Sequence, residues 1–186
     1  MNYFINDWDS DCAIMYDILE TIPFYSGSER SKMLYVNSNI GGSMLYGVTW
    51  KSYLTPTLSR EFDIETSLYK TKVYSEYPEL KDVFREFADL YFPEFAWSQC
   101  QMNKSYPCPP HKDSKNIGNS CLVAFGNYKG GNTCLFKNDS IIKIDARKQP
   151  TIFNGSEILH WVDPIKGNST RYSLVFFNNN KKLIKN

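Results

Sequence analysis

Residues 108–136, CPPHKDSKNIGNSCLVAFGNYKGGNTCLF, contain the pattern that decides the fold. Two short apolar runs, SCLVAF and NTCLF, are separated by the glycine-rich segment GNYKGG. Short runs rich in β-branched, apolar and aromatic residues, bounded by turn residues, are typical of β-strands. The segment therefore predicts two neighbouring strands, with a histidine and an aspartate shortly before the first of them.

The same pattern continues toward the C-terminus, where IIKI precedes DARKQP, TIF precedes NGS, and RYSLVFF precedes NNNKK. Many short strands at this spacing indicate a sandwich or barrel. Earlier in the chain, residues 11–22 and 79–92 place apolar residues at helical spacing, and prolines flank the second stretch. Helices followed by an antiparallel β core predict an α+β fold.

The chain has 186 residues, which fit one compact domain. It contains no internal repeat, low-complexity tract or Pro/Gly/Ser-rich linker. We therefore predict a single domain over residues 1–186. In this prediction, residues 1–94 form a mainly helical N-terminal support, residues 95–178 form the β core, and residues 179–186 form a basic tail.

The charges of the chain are unevenly distributed. Residues 1–100 contain 8 Lys and Arg against 15 Asp and Glu, a net charge of −7, whereas residues 101–186 contain 13 against 5, a net charge of +8. A basic half favours an anionic substrate or cofactor through long-range attraction. A charge imbalance without any partner is the alternative.

Several features bear on where the protein acts. No stretch is apolar enough to span a bilayer, and the acidic N-terminus lacks the basic flank and apolar run of a secretory signal. Five scattered cysteines without a CxxC pair fit reduced thiols. We expect an intracellular protein, in the cytoplasm or nucleus of a host. The high content of Asn, Lys, Ile and Tyr hints at an AT-rich genome and a viral origin.

The chain contains only two histidines, His111 and His160. In an extended segment, His111 and Asp113 project from the same face of the backbone. His160 is separated from Asp113 by 46 residues, and a neighbouring strand could bring it opposite that pair. Two imidazoles and one carboxylate with open positions form the facial triad of non-haem Fe(II) oxygenases. Catalytic zinc uses a similar donor set, although the HExxH helix of many zinc hydrolases is missing from the sequence.

Arg171 and Ser173 follow ten residues after His160. Alternation along the predicted strand RYSLVFF places their side chains on the same face. A guanidinium next to a hydroxyl is suited to binding a carboxylate.

The pattern HxD, then H, then RxS at these spacings resembles the 2-oxoglutarate/Fe(II) dioxygenase superfamily. The resemblance implies a double-stranded β-helix (jelly-roll) core with the N-terminal helices packed on one face. It implies Fe(II) held by His111, Asp113 and His160, and 2-oxoglutarate whose distal carboxylate is bound by Arg171 and Ser173. Oxygen would be the second cosubstrate, with ascorbate as a candidate reductant, and the reaction would hydroxylate a C–H bond.

A more specific resemblance covers about residues 95–178. The form HxDxxN, with Asn116 as its last residue, followed by GNS and GxYxGG, resembles the TET and JBP nucleic-acid hydroxylases and their phage and large-virus relatives. This resemblance implies that Asn116 contacts a base flipped out of DNA. AlkB-like members use an Asn and a Tyr at NxY on 2-oxoglutarate, which implies a similar role for Asn103 and Tyr106, here at NxxY spacing.

The leading hypothesis is hydroxylation of the methyl group of a 5-methylpyrimidine in DNA, with a base in RNA as an alternative. Alternatives within enzymes are hydroxylation of a protein side chain, prolyl or lysyl, or of a small molecule or free nucleotide. The alternative outside catalysis is a degenerate metal-binding module. Near the mouth of the site we predict four lysines that would favour phosphate contacts: Lys104, Lys112, Lys115 and Lys129.

Overall fold

The computed structural model describes residues 2–25, 41–49, 58–63 and 68–179. The helices in these residues are α1 (Trp8–Glu20), α2 (Lys72–Glu76) and α3 (Leu80–Tyr91). The strands are β1 (Gly42–Thr49), β2 (Leu58–Asp63), β3 (Leu68–Thr71), β4 (Gln99–Lys104), β5 (Ser120–Phe125), β6 (Lys129–Gly130), β7 (Thr133–Lys137), β8 (Ser140–Ile144), β9 (Thr151–Phe153), β10 (Leu159–Val162), β11 (Ile165–Lys166) and β12 (Tyr172–Phe177). Across the described ranges, no helix has the length and apolar character needed to cross a membrane.

The strands form three sheets. The largest has seven strands in the order β2-β3-β1-β4-β12-β5-β9, the second has the order β10-β7-β8, and β11 pairs with β6. Every one of these pairings is antiparallel. The predicted α+β class with an antiparallel core is therefore confirmed.

The five strands predicted from short apolar runs are present as β5, β7, β8, β9 and β12. The helix predicted at residues 79–92 is α3, and the one predicted at residues 11–22 begins earlier, at Trp8. It begins there because the side chain of Asp7 accepts a hydrogen bond from the backbone N–H of Ser10, which satisfies a donor of the first helical turn.

Three strands near the N-terminus, β1, β2 and β3, are not among the elements predicted from the sequence. In β1, consecutive residues such as Ser43 and Met44 are both buried. A strand covered on both faces lacks the alternation of polar and apolar residues by which half-buried strands are recognised. Beyond Asn179, the predicted basic tail lies outside the described residues.

Helices α1 and α3 cover one face of the seven-stranded sheet. Phe84 and Phe87 of α3 are fully buried, with ring centroids 5.9 Å from Phe176 and 5.8 Å from Phe125 respectively. Because side chains alternate along a strand, burying Phe176 against the helices turns Val175 to the opposite face. There a second apolar cluster joins the large sheet to the small ones, and it contains Leu122, Ala124, Tyr128, Leu135, Ala146 and Phe153. The candidate site lies on this second face.

Candidate functional site

The backbone brings the two histidines side by side. His111, in the segment between β4 and β5, forms an isolated antiparallel bridge with His160 at the start of β10. The bridge has a hydrogen bond in each direction, of 2.9 and 3.0 Å, and the N–H of Asp113 donates to the carbonyl of Gly155 at 2.9 Å. These bonds hold the HxD segment as an extended chain along β10, as the shared-face argument requires.

The side chains of His111, Asp113 and His160 converge. Nε2 of His160 lies 3.4 Å from Oδ2 of Asp113, and Nε2 of His111 lies 3.8 Å from Oδ1. One ligand atom from each of the three residues lies within 4.8 Å of the others. This spacing suits three donor atoms directed at one metal ion.

Both imidazoles are held in the tautomer that metal binding through Nε2 requires. Nδ1 of His111 lies 2.8 Å from the carbonyl of Pro109, and Nδ1 of His160 lies 2.9 Å from the carbonyl of Ile158. A carbonyl can only accept, so Nδ1 carries the hydrogen and Nε2 presents its lone pair. Burial lowers the pKa of His111, but the Cys108 thiol and the Pro109 carbonyl outweigh it, so the pKa lies above its usual value.

Arg171 is a buried cation with unsatisfied donors. Its residue is 1% exposed, and Nη1 donates to Oγ of Ser173 at 2.8 Å. Nε and Nη2 have no hydrogen-bond partner in the described part of the chain. The guanidinium carbon lies 5.6 Å from the ring centroid of Tyr128. A Cβ at Gly131, where φ is 62°, would lie 3.0 Å from Cδ of Arg171, so this glycine leaves room for the arginine. Such an arginine fits a bound anion.

A cavity of about 250 Å³ lies against the three metal-binding side chains and Ser173. This volume is just below the range of about 300–1,000 Å³ found for drug-sized ligands, so the cavity suits a small molecule together with one group of a larger substrate. Arg171 is not among the lining residues, but it contacts one of them, Ser173, through its 2.8 Å hydrogen bond. The cavity is lined by Gln101, Asn103, Tyr106, Cys108, His111, Asp113, Asn116, Leu122, Thr133, Phe153, His160, Val162, Ser173, Val175 and Phe177.

The remaining residues predicted from the resemblance, Asn103, Tyr106 and Asn116, also line this cavity. Nδ2 of Asn116 lies 3.2 Å from Oγ of Ser120 and 3.5 Å from Oδ2 of Asp113, so the amide also orients the carboxylate. Asn103 accepts a hydrogen bond of 2.7 Å from a serine of β1, and Tyr106 is buried. Their roles toward ligands stay predictions.

Several cavity residues lie outside the set of site residues predicted from the sequence. Thr133 is buried, and its Oγ1 has no hydrogen-bond partner in the described part of the chain. Gln101 is buried beside it in the lining, and the ring of Phe153 lies 5.0 Å from that of His160. Alternation along β7 would have identified Thr133 as a residue that points toward the cavity, but only once the position of β7 relative to β12 was known. The pairing of β7 with β10 is not visible in the sequence.

The prediction of four lysines near the mouth of the site holds only in part. Lys112 and Lys115 are exposed on the segment that carries the HxD residues, and Lys129 is exposed in β6. The placement of Lys104 was wrong, because its Nζ lies 5.2 Å from the ring centroid of Tyr172, on the helix-covered face. Alternation along β4 explains this, since its neighbour Asn103 faces the cavity.

Comparison with known proteins identifies relatives by structure only. No family model matches the chain, and no curated protein matches it. NgTET1, solved in complex with 5mC DNA, is 18% identical with a TM-score of 0.57, over 94% of this chain and 69% of NgTET1. A 2OG-Fe(II) oxygenase family oxidoreductase from Burkholderia pseudomallei is 14% identical with a TM-score of 0.52, over 90% of this chain and 79% of that one.

A third similar structure is a prolyl hydroxylase from Trichoplax adhaerens in complex with a peptide fragment of the hypoxia inducible factor oxygen degradation domain. It is 11% identical with a TM-score of 0.50, over 95% of this chain and 80% of the hydroxylase. These likenesses show a shared fold, and they confirm the predicted jelly-roll core. The TET/JBP-like branch and the viral origin stay predictions.

Proposed function

We propose that this protein is a 2-oxoglutarate/Fe(II)-dependent oxygenase, an oxidoreductase that hydroxylates a C–H bond. One observation carries the proposal: three convergent metal-binding side chains share a cavity with Ser173, to which the buried Arg171 is hydrogen-bonded. A zinc site with the same donors would leave the unpaired guanidinium without an explanation. A cosubstrate that binds the metal at one end and carries a carboxylate at the other accounts for both.

The donor set fits Fe(II), for which two imidazoles and one carboxylate on one face are a characteristic arrangement. His111, Asp113 and His160 would hold the metal. With 2-oxoglutarate and oxygen, the iron supplies the oxidising chemistry, which converts the cosubstrate to succinate and carbon dioxide and adds one oxygen atom to the substrate. Nε and Nη2 of Arg171 supply the donors for the distal carboxylate of 2-oxoglutarate, and Ser173 fixes the direction of the guanidinium.

The apolar lining has its own role in this reaction. Phe153 packs edge-on against His160, with 67° between the rings, and Val162, Val175 and Phe177 complete the apolar part of the cavity wall. Apolar walls exclude water from the metal face and limit unproductive side reactions. They also keep the imidazole of His160 in place.

For the substrate, we infer the methyl group of a 5-methylpyrimidine in DNA. The small cavity admits one protruding group, as an extruded base would provide. The hydrogens of the Asn116 amide point to Ser120 and Asp113, which leaves its oxygen to accept from the amino group of a cytosine. The exposed Lys112 and Lys115 are placed to contact phosphates. The fold is also that of NgTET1, which was solved with 5mC DNA.

The experiment that tests this proposal is anaerobic loading with Fe(II) and 2-oxoglutarate, followed by oxygen, in the presence of methylated DNA. We expect oxidised 5-methylpyrimidine by nucleoside mass spectrometry and an equal amount of succinate. Succinate in excess of any base oxidation would leave the oxygenase in place and direct the search to peptides, since a peptide-bound prolyl hydroxylase shares the fold. If neither DNA, peptides nor small molecules stimulate succinate release, the oxygenase proposal is wrong.

Replacing Lys112 and Lys115 together by serine is expected to flatten the salt dependence of DNA binding. Each phosphate contact contributes about 0.9 to the slope of log K against log salt, so the slope should fall by about 2. The matched control replaces Lys81 and Arg85, exposed cations of α3 on the helix-covered face, and should leave the slope unchanged. Equal slopes for the two double variants would show that Lys112 and Lys115 do not contact DNA phosphates.

A further inference from the structure

A row of polar side chains crosses the cavity face of the large sheet. In the strand registers, Ser43 of β1 lies opposite Asn103 of β4, and Asn103 lies opposite Ser173 of β12. Ser43 and Ser173 are 5% and 2% exposed. Ser43 belongs to the N-terminal part of the chain, which the sequence resemblance does not cover.

The hydrogen bonds along this row fix which group donates and which group accepts. Nε2 of Gln101 donates to the carbonyl of Met44 at 2.7 Å, and because a carbonyl only accepts, this bond fixes which end of the Gln101 amide is nitrogen. The same nitrogen donates to Oγ of Ser43 at 3.0 Å. The hydroxyl of Ser43 in turn donates to Oδ1 of Asn103 at 2.7 Å. The amide oxygen of Asn103 is therefore directed at β1, and its NH₂ group is the end available to the cavity.

The orientation of this amide matters for the ligand proposed above. At neutral pH, 2-oxoglutarate carries two carboxylates and a ketone, all of which are acceptors. An Asn103 amide that presented its oxygen would repel these groups, whereas one that presents NH₂ donates to them. Without a fixed partner, the two ends of an amide exchange by rotation about one side-chain bond.

We propose that Ser43 is a positioning residue that, together with Gln101, holds the Asn103 amide with its NH₂ group toward 2-oxoglutarate. This inference rests on the proposed function. It gives β1 a part in cosubstrate binding, in addition to its structural place between β3 and β4.

The test measures 2-oxoglutarate binding by calorimetry on the full chain loaded with Mn(II), a metal that the same ligands bind. Ser43→Ala should raise the Kd about five- to tenfold, the effect of losing about one net hydrogen bond. Ser43→Thr, which keeps the hydroxyl, should restore the affinity. Ser98→Ala is the matched control, because Oγ of Ser98 is buried with no partner in the described part of the chain, and its Kd should equal that of wild type.

A double-mutant cycle separates positioning from a general structural effect. If Ser43 acts through Asn103, the Ser43→Ala/Asn103→Ala variant should bind 2-oxoglutarate no more weakly than Asn103→Ala alone. Additive losses, or a Ser43→Ala protein that binds like Ser98→Ala, would overturn the inference. Mn(II) affinity should be the same for all variants, and the melting temperature, measured in parallel, shows that each variant is folded at the temperature of the calorimetry.

A second variant keeps the inference testable if Ser43→Ala folds poorly. Asn103→Asp keeps the acceptor for Ser43 but replaces NH₂ by a charged oxygen, and we expect it to weaken binding by more than Asn103→Ala does. Wild-type affinity in Asn103→Asp would overturn the inference. A wild-type protein that binds Mn(II) but no 2-oxoglutarate would instead contradict the proposed function, so the two failures are distinguishable.

Discussion

Replacement of His160 by alanine is expected to abolish succinate formation, with a loss of at least about a thousandfold in turnover, and to weaken Fe(II) binding by at least about a hundredfold. Loss of a group that only orients a metal ligand already costs about 10–100-fold in metal affinity or activity, and removal of a ligand costs more. His160 is the least exposed of the three donors, and its Nε2 lies 3.4 Å from Asp113. Fe(II) binding can be measured anaerobically by competition with a chromogenic chelator.

The matched control for this variant is Trp161→Phe. Trp161 follows His160 in β10, and strand alternation places it on the outer face of the three-stranded sheet, opposite Cys134 of β7. Fe(II) affinity should be unchanged in this control, apart from any effect of losing the 3.3 Å hydrogen bond from Trp161 to Asp163. If His160→Ala bound Fe(II) as tightly as Trp161→Phe, the metal would have to bind through other groups.

The extent to which this site was predictable depends on the distance along the chain over which each contact acts. His111 and Asp113 were paired by local alternation, and Arg171 and Ser173 by the same rule, because two residues of one strand share a face whatever the rest of the fold does. Five strands of the β core were predictable because turn residues separate them, whereas β4, β6, β10 and β11 were not predicted. His160 was assigned because it is the second of only two histidines in the sequence, although nothing local indicates which strand lies opposite the HxD segment.

The features that escaped prediction depend on partners far away in sequence. The hydrogen bond from Ser43 to Asn103 joins residues 60 positions apart on neighbouring strands, and one of these strands, β1, was not predicted. Lys104 was predicted near the cavity mouth, although it is adjacent in β4 to Asn103, which faces the cavity, and adjacent residues of a strand point to opposite faces. The sequence therefore indicated which side chains lie close together only where both belong to one strand or segment and alternation is taken into account.

The proposed function of Arg171 and the stability of the folded protein place opposite demands on this residue. Its guanidinium is 1% exposed, yet two of its three nitrogens have no partner in the described part of the chain. A buried donor left without a partner costs about 1–3 kcal/mol, and more when it is charged. In the absence of a carboxylate ligand, this residue is therefore expected to destabilise the folded protein.

Arg171→Met should accordingly separate the two properties. Methionine can follow the path of the arginine stem past Gly131 without burying a charge, so the ligand-free protein should be more stable by about 1–2 kcal/mol. The affinity for 2-oxoglutarate should fall by about a hundred- to a thousandfold, because a charge-assisted contact to the distal carboxylate is lost. Urea denaturation measures the first quantity, and calorimetry on the Mn(II)-loaded protein measures the second.

Arg147→Met is the matched control, and its stability change should have the opposite sign. Arg147 also lies over the ring of Tyr128, at 4.5 Å, but it is paired with Asp145 through bonds of 2.7 and 2.8 Å. Its loss should therefore lower stability, by about 1 kcal/mol, and leave 2-oxoglutarate affinity unchanged. Hydrogen bonds from Arg147 lower the pKa of Asp145, so this stability difference should be present at neutral pH and disappear as the pH falls through that lowered pKa.

The comparison of the two arginines tests the assignment of the carboxylate site directly. If Arg171→Met were as destabilising as Arg147→Met, the Arg171 guanidinium would have a partner within the folded chain, and it would not be reserved for a ligand. If Arg171→Met were more stable but still bound 2-oxoglutarate tightly, the buried charge would be a liability without a role in cosubstrate binding. Only increased stability together with lost binding fits an arginine whose missing partner is the distal carboxylate, because in that case the ligand satisfies the two nitrogens that the protein leaves unpaired.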